Sequence, residues 1–504
     1  MKKYIFKTAV LLTLIGFIVA CTKKDDCPYI IEEKVVVVPP VPVTGGPGPR
    51  PDCQLSPFNG YMISTQAPTD TSGSVGVISD ARITSTAPLG QDWNDPTLLG
   101  SARIKSFAPA MWTKSAIGQV FGIALDDNKG IFLSASDIYN ATYAYLNAAT
   151  MQQFGPAGPA GIYYTAMTNI NTTTQLVTSV NTASLNTVGT ATIPNSGIGA
   201  GNSLGNIAYD SKNQQLFATN LEDGRIYRIN PSTGIVLSIF DPFALDNAVK
   251  GVAPVMEVLW GIGVYTDSAN VTSVYFSRTT TDSALSQSSG GGGTKDIWSI
   301  KLNGAGEFLA TEVGSTKLFV DTASSSQAEI INVAGSLAKV TDIAFSKSGK
   351  MLLAERGGAH TSQVFEYIKT GATWTKAVKN FFVGGKSSSG VSDGQNATGG
   401  VDYASRDSGS NFICDDIVWV TGNYMLPKIK PSNAPYVYSV QGISAAGNSI
   451  GATFPNTNGT GGSGGPATLP DFSATDIYIH TNITVPANKN GVGDVEVFRC
   501  KCCN

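Results

Sequence analysis

Only two histidines occur in the 504 residues, His360 and His480, so few side chains titrate near neutral pH. The stretch LLAERGGAH (352–360) is where chemistry-bearing residues come closest together. Glu355 and Arg356 end an apolar run and His360 follows a Gly-Gly pair, so the three can share one strand edge facing solvent. An arginine fork grips a carboxylate or a sugar, and a Glu/His pair can supply acid and base. The same residues also read as a surface ion pair beside a loop histidine, which needs no ligand. His480 in IYIH falls mid-strand and reads as a structural histidine. With two histidines no Ser-His-Asp set can be argued, and no catalytic residue is assigned.

Metal and cofactor signals are equally sparse. DDNKG (126–130) starts like a calcium loop, but Asp137 stands at the twelfth position where a glutamate belongs, so an Asx-type hairpin turn is the better reading. VSDGQNATGG (391–400) offers Asp393 and Asn396 to a cation and reads equally well as a plain loop. SQSSGGGGTK (286–295) has no strand before it and no helix after it, which excludes a phosphate cradle. No cofactor or metal ligand set follows from these stretches. Seven cysteines occur: Cys21, Cys27, Cys53, Cys414, Cys500, Cys502 and Cys503. The terminal RCKCCN lacks a CxxC spacing, and the nearest histidine in sequence is His480. Disulfides are therefore expected over thiolate metal binding, with Cys27, Cys53, Cys414, Cys500, Cys502 and Cys503 as candidates and the pairing open.

The elements that must position these residues are strands. Runs of four to eight β-branched and aromatic residues alternate with Gly, Asn, Asp and Ser turns, and no long amphipathic helical pattern follows residue 20. LGNIAYDSKNQQLFATNLEDGRIYRINPSTGIVLSIF (204–240) and VTDIAFSKSGKMLLAERGGAHTSQVFEYIKTGATWT (340–375) follow one plan: strand, polar turn, strand, loop, aromatic-centred strand, turn, strand. Further copies begin at 120, 259, 399 and 474, the last being ATDIYIHTNI then GDVEVFRC. A two-hairpin unit that buries its faces only against neighbours is how a β-propeller blade reads. The phrases IAYDSKNQQLFATNLEDGRIYRINPSTG and IAFSKSGKMLLAERG resemble blades of NHL-like and sugar-dehydrogenase-like propellers. The expected fold is all-β, a single propeller over 53–504. Six blades fit best, with seven as the alternative because 53–116 holds further strand-like runs; tandem β-sandwiches are the competing architecture. The last copy is one strand short, and QLSPFNGYMIST (54–65) is the natural donor, so the N- and C-terminal segments should close the ring. That closure would bring Cys53 beside Cys500, Cys502 and Cys503, with Cys414 a candidate for a second bridge.

The amino terminus carries the address. Lys2, Lys3 and Lys7 precede AVLLTLIGFIVA (9–20), whose twelve residues span roughly 18 Å as helix, short of a bilayer core of about 30 Å. Residues 1–20 therefore read as a signal peptide. IVAC resembles the lipobox of bacterial lipoproteins, which implies lipidation of Cys21 and an anchor in membrane lipid. KKDD (23–26) resembles the export signal of Gram-negative surface lipoproteins, which implies the outer membrane, facing the cell exterior. Residues 21–52, rich in proline and glycine, read as a lipid-anchored stalk. Loss of the three lysines of residues 1–20 takes the formal charge from −3 to −6, and with no basic stripe a nucleic-acid partner is excluded. The function expected is a surface binding or scaffolding module for a protein or glycan partner rather than an enzyme. The alternative is a propeller enzyme: a hydrolase, a lyase or a quinone-dependent sugar oxidoreductase.

Overall fold

The computed structural model describes residues 59–68, 72–81, 107–127, 129–136, 139, 154–158, 160–171, 176–184, 203–221, 223–244, 258–279, 295–322, 324–333, 338–357, 361–384, 394–407, 412–422, 439–447, 477–480 and 492–499. Signal peptide, stalk, His360 and every cysteine except Cys414 lie outside them. The protein is all-β: 25 strands are described against one short helix, α1 (Lys114–Ile117), capped by the Thr113 hydroxyl. No described helix is long and apolar enough to cross a membrane.

The strands form a succession of small antiparallel sheets. β1 (Tyr61–Gln66) and β2 (Gly76–Asp80) make the first, and its third member is the last strand of the chain, β25 (Val492–Val497). β3 (Val120–Leu125), β4 (Gly130–Ala135), β5 (Ile162–Asn171) and β6 (Leu176–Ser184) make the second. β7 (Leu204–Asp210), β8 (Gln215–Asn220), β9 (Arg225–Ile229) and β10 (Val236–Asp241) make the third. β11 (Val258–Thr266), β12 (Thr272–Thr279) and β13 (Lys295–Lys301) belong to the fourth, whose hairpin β14 (Thr311–Glu312) and β15 (Leu318–Val320) crosses to pair parallel with β10 before β16 (Gln327–Asn332) returns. β17 (Lys339–Phe345), β18 (Met351–Arg356), β19 (Val364–Thr370) and β20 (Thr373–Lys376) follow. β21 (Ala397–Asp407), β22 (Phe412–Gly422), β23 (Ser439–Ser444) and β24 (Ile477–His480) complete the set.

The leading strands of these sheets touch in a cycle: β3 against β7, β7 against β11, β11 against β17, β17 against β21, β21 against β25, and β25 back against β3. The arrangement is propeller-like. Two details differ from the sequence reading. ATDIYIHTNI supplies β24, the outer strand of the preceding sheet, and does not open a unit of its own. The amino-terminal region donates more than one strand to the last sheet: β1 pairs with β25, β2 with β1, and Phe107 bridges to Ile78. One physical reason covers both. An unpaired strand edge leaves backbone groups to be satisfied, and pairing follows register and burial rather than order along the chain.

A repeated device joins neighbouring sheets. In each leading pair the register slips by a bulge, which frees an N–H and a carbonyl from the ladder. In four of the pairs a hydroxyl on the second strand accepts from the freed N–H and donates to a carbonyl of the next sheet. Thr219 Oγ1 accepts from Asn206 N at 3.0 Å and donates to Trp260 O of the next sheet at 2.6 Å. Thr421 accepts from Gly400 N and donates to Gly493 O; Ser277 accepts from Gly261 N and donates to Val340 O; Thr65 accepts from Asp494 N and donates to Phe121 O. Ala354 holds the corresponding place on β18, and there Thr341 on the leading strand donates to Gly399 O instead. Each hydroxyl satisfies two buried backbone groups that would otherwise go unpaired. The isosteric change Thr219→Val strands both, and urea unfolding should show a loss of about 2–4 kcal/mol, at about 1–3 for each orphaned group. A loss no larger than that of an exposed Thr→Val change would show the hydroxyl to be dispensable.

Candidate functional site

Four carboxyls converge where the leading strands meet. Asp342 (β17), Asp402 (β21) and Asp494 (β25) are buried, and Glu496 (β25) is half-buried. The three aspartates share a local pattern, each accepting from the N–H of the following residue: Ile343, Tyr403 and Val495. Each also accepts from the next leading strand: Asp342 from Val401 N at 2.8 Å, Asp402 from Val497 N at 2.9 Å, Asp494 from Ile123 N at 2.9 Å. Asn206 of β7 follows the same local pattern and reaches across to Asp342 through its amide.

Carboxyl also meets carboxyl. Asp342 and Asp494 are hydrogen-bonded to each other, and Asp402 to Glu496. Such a contact needs a proton, because two buried carboxylates in contact cannot both stay ionised. Burial is the largest cause of the shift at all four: Asp342 is pushed up to about 7, Asp402 is raised, and Asp494 and Glu496 are raised well above the usual carboxylate range. The one cation in the group is Arg499, paired with Asp402 and lying 3.9 Å from Asp415. Oxygens of Asp342, Asp494 and Glu496 lie within 4.8 Å of one another, a spacing a metal ion could use. Both oxygens of each aspartate already accept backbone N–H groups, and with no cation between them the buried carboxyls share protons.

The cluster adjoins a cavity of about 790 Å³. Ile123, Ile207, Ile262 and Ile343, from four leading strands, give it apolar walls, and Tyr209, Tyr265 and Phe345 add aromatic ones. Asp402, Glu496 and Arg499 line its base, and the turns at 126–129, 210–212 and 346–347 form its rim. DDNKG is one of these turns: Asp126 Oδ1 accepts from Gly130 N at 2.7 Å, the Asx-type hairpin expected from sequence. Asp210 and Asp267 cap equivalent turns in the next two sheets. The Tyr265 and Phe345 rings stack 5.1 Å apart at 21°.

Glu355 and Arg356, the two described members of the trio expected from sequence, are absent from the cavity lining. Glu355 and Arg356 are 0 % and 4 % exposed and, as neighbours in a strand, point to opposite faces. Glu355 is ion-paired with Lys295 of the neighbouring sheet at 2.8 Å and accepts from Gln363 N. Arg356 donates to Thr398 O and Val492 O and lies 5.7 and 5.1 Å from the Phe121 and Tyr139 ring centres. Arg356 thus ties four segments together at the start of the leading strands. A solvent-facing grip built from these two is replaced by two buried structural roles; His360 lies outside the described residues. For His480 the backbone of β24 is described. Cys414 on β22 is disulfide-bonded, and its partner lies outside the described residues.

The carboxyl cluster escaped the sequence reading because its members stand on three strands far apart in the chain. The signal that could have found it is the recurrence of Asn or Asp beside Gly or Thr at the start of leading strands: GN at 205–206, TD at 341–342 and GD at 493–494.

No protein family and no curated protein matches the chain in sequence. Among solved structures it is similar to one described as a nidogen/laminin complex, with 11 % identity, a TM-score of 0.36, and 87 % of this chain and 99 % of that one covered. It is also similar to a protein from Lactobacillus plantarum, at 12 % identity and a TM-score of 0.36, with 86 % and 98 % covered. A third is the PQQ-bound aldose sugar dehydrogenase from Streptomyces coelicolor, at 11 % identity and a TM-score of 0.35, with 77 % and 94 % covered. These are distant similarities, and the fold described above rests on the strands and their pairing.

Proposed function

We propose that the protein is a lipoprotein anchored through Cys21 in the outer membrane, facing the cell exterior, whose six-bladed β-propeller body is a binding module for a glycan. The six-membered cycle of leading-strand contacts supports the blade count. The observation that carries the binding reading is the cavity: aromatic and apolar walls over a base whose charges are already paired internally. Aromatic faces suit the C–H faces of a sugar ring, and rim aspartates and lysines suit its hydroxyls. Asp402 and Glu496 touch, whereas glycosidases hold their two carboxyls about 5–9.5 Å apart. Two-carboxylate glycoside hydrolysis therefore finds no support at this base.

Detergent-solubilised full-length protein, titrated with glycans from the outer surface of Gram-negative cells, should bind at least one. Tyr265→Ala should weaken that binding at least tenfold while leaving the melting temperature within a few degrees. Binding unchanged by Tyr265→Ala and by Tyr209→Ala would remove the cavity from the reading. The address is tested separately: labelled palmitate should enter the wild type and not Cys21→Ala, and protease added to intact cells should remove the body. A second reading, a propeller enzyme, is favoured by Glu496 alone, a cavity-lining carboxyl that burial raises well above the usual carboxylate range, as a general acid requires. Turnover of a bound glycan that Glu496→Gln abolishes while binding survives would decide for the enzyme.

A further inference from the structure

We infer that the end of the ring opposite the cavity holds a second ligand site, for a small oxyanion, centred on Lys339 and Arg356. The cavity is lined by the last residues of leading strands, among them Leu125, Asp210, Thr266, Phe345 and Val497. The second site lies where those strands begin. Lys339 opens β17 and stands directly opposite Arg356, the last residue of β18, so the two cations share one face of the pair. Both are buried, at 7 % and 4 % exposed. Like charges opposed across a ladder repel, and burial removes the water that screens them. Negative charge bound between them turns that repulsion into attraction. Burial lowers Lys339 to about 7, and an anion beside it favours the protonated form. Glu355 points to the other face, to Lys295.

Two further donors at this end have no acceptor among the described residues: Trp260 Nε1 and Thr398 Oγ1, on residues 4 % and 1 % exposed. A buried N–H or O–H without an acceptor carries a desolvation penalty that a bound oxygen offsets. Both residues sit against the guanidinium. Arg356 Nη1 donates to the Thr398 carbonyl and to Val492 O. The Trp260 and Phe121 rings lie 5.8 Å apart, and Arg356 Cζ is 5.7 Å from the Phe121 centre and 5.1 Å from that of Tyr139. Gly399, at φ 111°, lets these groups close up: a Cβ there would stand 3.1 Å from Arg356 Cβ and 3.2 Å from Phe121 Cζ. Residues of β3, β11, β17, β18 and β21 thus meet, with three aromatic rings around two cations and two idle donors. Charge from the lysine and arginine, directed hydrogen bonds from the indole and the hydroxyl, and walls that exclude competing water together suit an oxyanion. Carboxylates and phosphates share that chemistry. The site lies apart from the cavity and does not depend on what the cavity binds.

Calorimetric titration of the full-length protein with sodium citrate and with sodium phosphate, at ionic strength held constant with sodium chloride, provides the test. At least one of the two anions should bind saturably with a dissociation constant under about 1 mM. Citrate alone would mark the site as one for carboxylates, phosphate alone as one for phosphates. Lys339→Met should weaken binding at least about tenfold. Trp260→Phe and Thr398→Val each keep the shape and remove one donor, and should weaken it by about threefold to tenfold. Melting curves taken without anion show which variants fold, and Trp260→Phe and Thr398→Val carry the test where Lys339→Met does not. No saturable binding of either anion, or equal binding by the wild type and the folded variants, would overturn the inference.

Discussion

Ending the chain at Gly491 is expected to leave no cooperatively folded body, the largest effect any short deletion should have here. The removed segment holds β25, the only described strand that pairs with β1 on the side away from β2. Val492, Val495, Val497 and Phe498 are 0–8 % exposed, and at about 1.5–3 kcal/mol each their burial contributes on the order of 8 kcal/mol. That is comparable to the whole stability of an ordinary domain, about 5–15 kcal/mol. The loss also orphans Ile123 N, bonded to Asp494, and the Arg356 hydrogen bond to Val492 O. Far-ultraviolet circular dichroism during urea titration, together with limited proteolysis, checks the result. A truncated chain that unfolded in one sharp transition near the full-length midpoint would show β25 to be an accessory strand. A gentler probe of the same seam is Gly400→Ala. A Cβ there would stand 2.5 Å from Val495 N and 2.6 Å from Asp494 backbone atoms, so the strands must separate and several kcal/mol should be lost.

The strands were legible in the sequence because their cause is local. Short apolar runs and Asp- or Gly-centred turns such as those opened by Asp126 and Asp210 act over a few neighbours, and the inner strands are buried on both faces. The strand donated by GYMIS was legible too, since a unit missing a strand must find one. Which strands belong to the last sheet was less so: β24 and β25 are adjacent in sequence but join different sheets, a choice made by side-chain burial against distant neighbours. Adjacent polar residues proved a poor guide to a site. Glu355 and Arg356 stand side by side in the chain and on opposite faces in the fold, whereas Asp342, Asp402 and Asp494 converge although they stand on three strands far apart in sequence. The hydroxyls joining the sheets were visible as a Ser or Thr late in the second strand, at Thr65, Thr219, Ser277 and Thr421. Their role depends on bulges between strands, which no single strand reveals.

Stability should fall steeply as pH rises from about 4 to 7, and Asp494→Asn should flatten that slope. The sign follows from the carboxyl cluster. Burial, first among the causes, raises Asp342 to about 7 and lifts Asp494 and Glu496 well above the usual range, while the unfolded chain titrates them near 4. Between those values the folded state holds more protons than the unfolded one, so raising the pH favours unfolding. The cluster's stability is fully present below about pH 4 and is lost as pH climbs through the folded values, at about 1.4 kcal/mol per pH unit for each proton retained. The groups facing the cluster are Asn206, which is neutral, and Arg499 and Asp415 beside Asp402. Lys339 on the same strand as Asp342 works in another window: burial lowers it to about 7, so its effect is to raise stability from about pH 7 upward. Below pH 7 the carboxyls decide. Asp342 and Asp494 hold one proton between them, so replacing either carboxyl removes its uptake. Asparagine at 494 can donate an N–H to Asp342 in place of that proton and requires no uptake from solution. Urea midpoints measured at half-unit intervals from pH 4 to 8 should therefore drop less in Asp494→Asn than in the wild type, by about one proton's worth of slope. Parallel curves for the two proteins would show that the pair shares no proton.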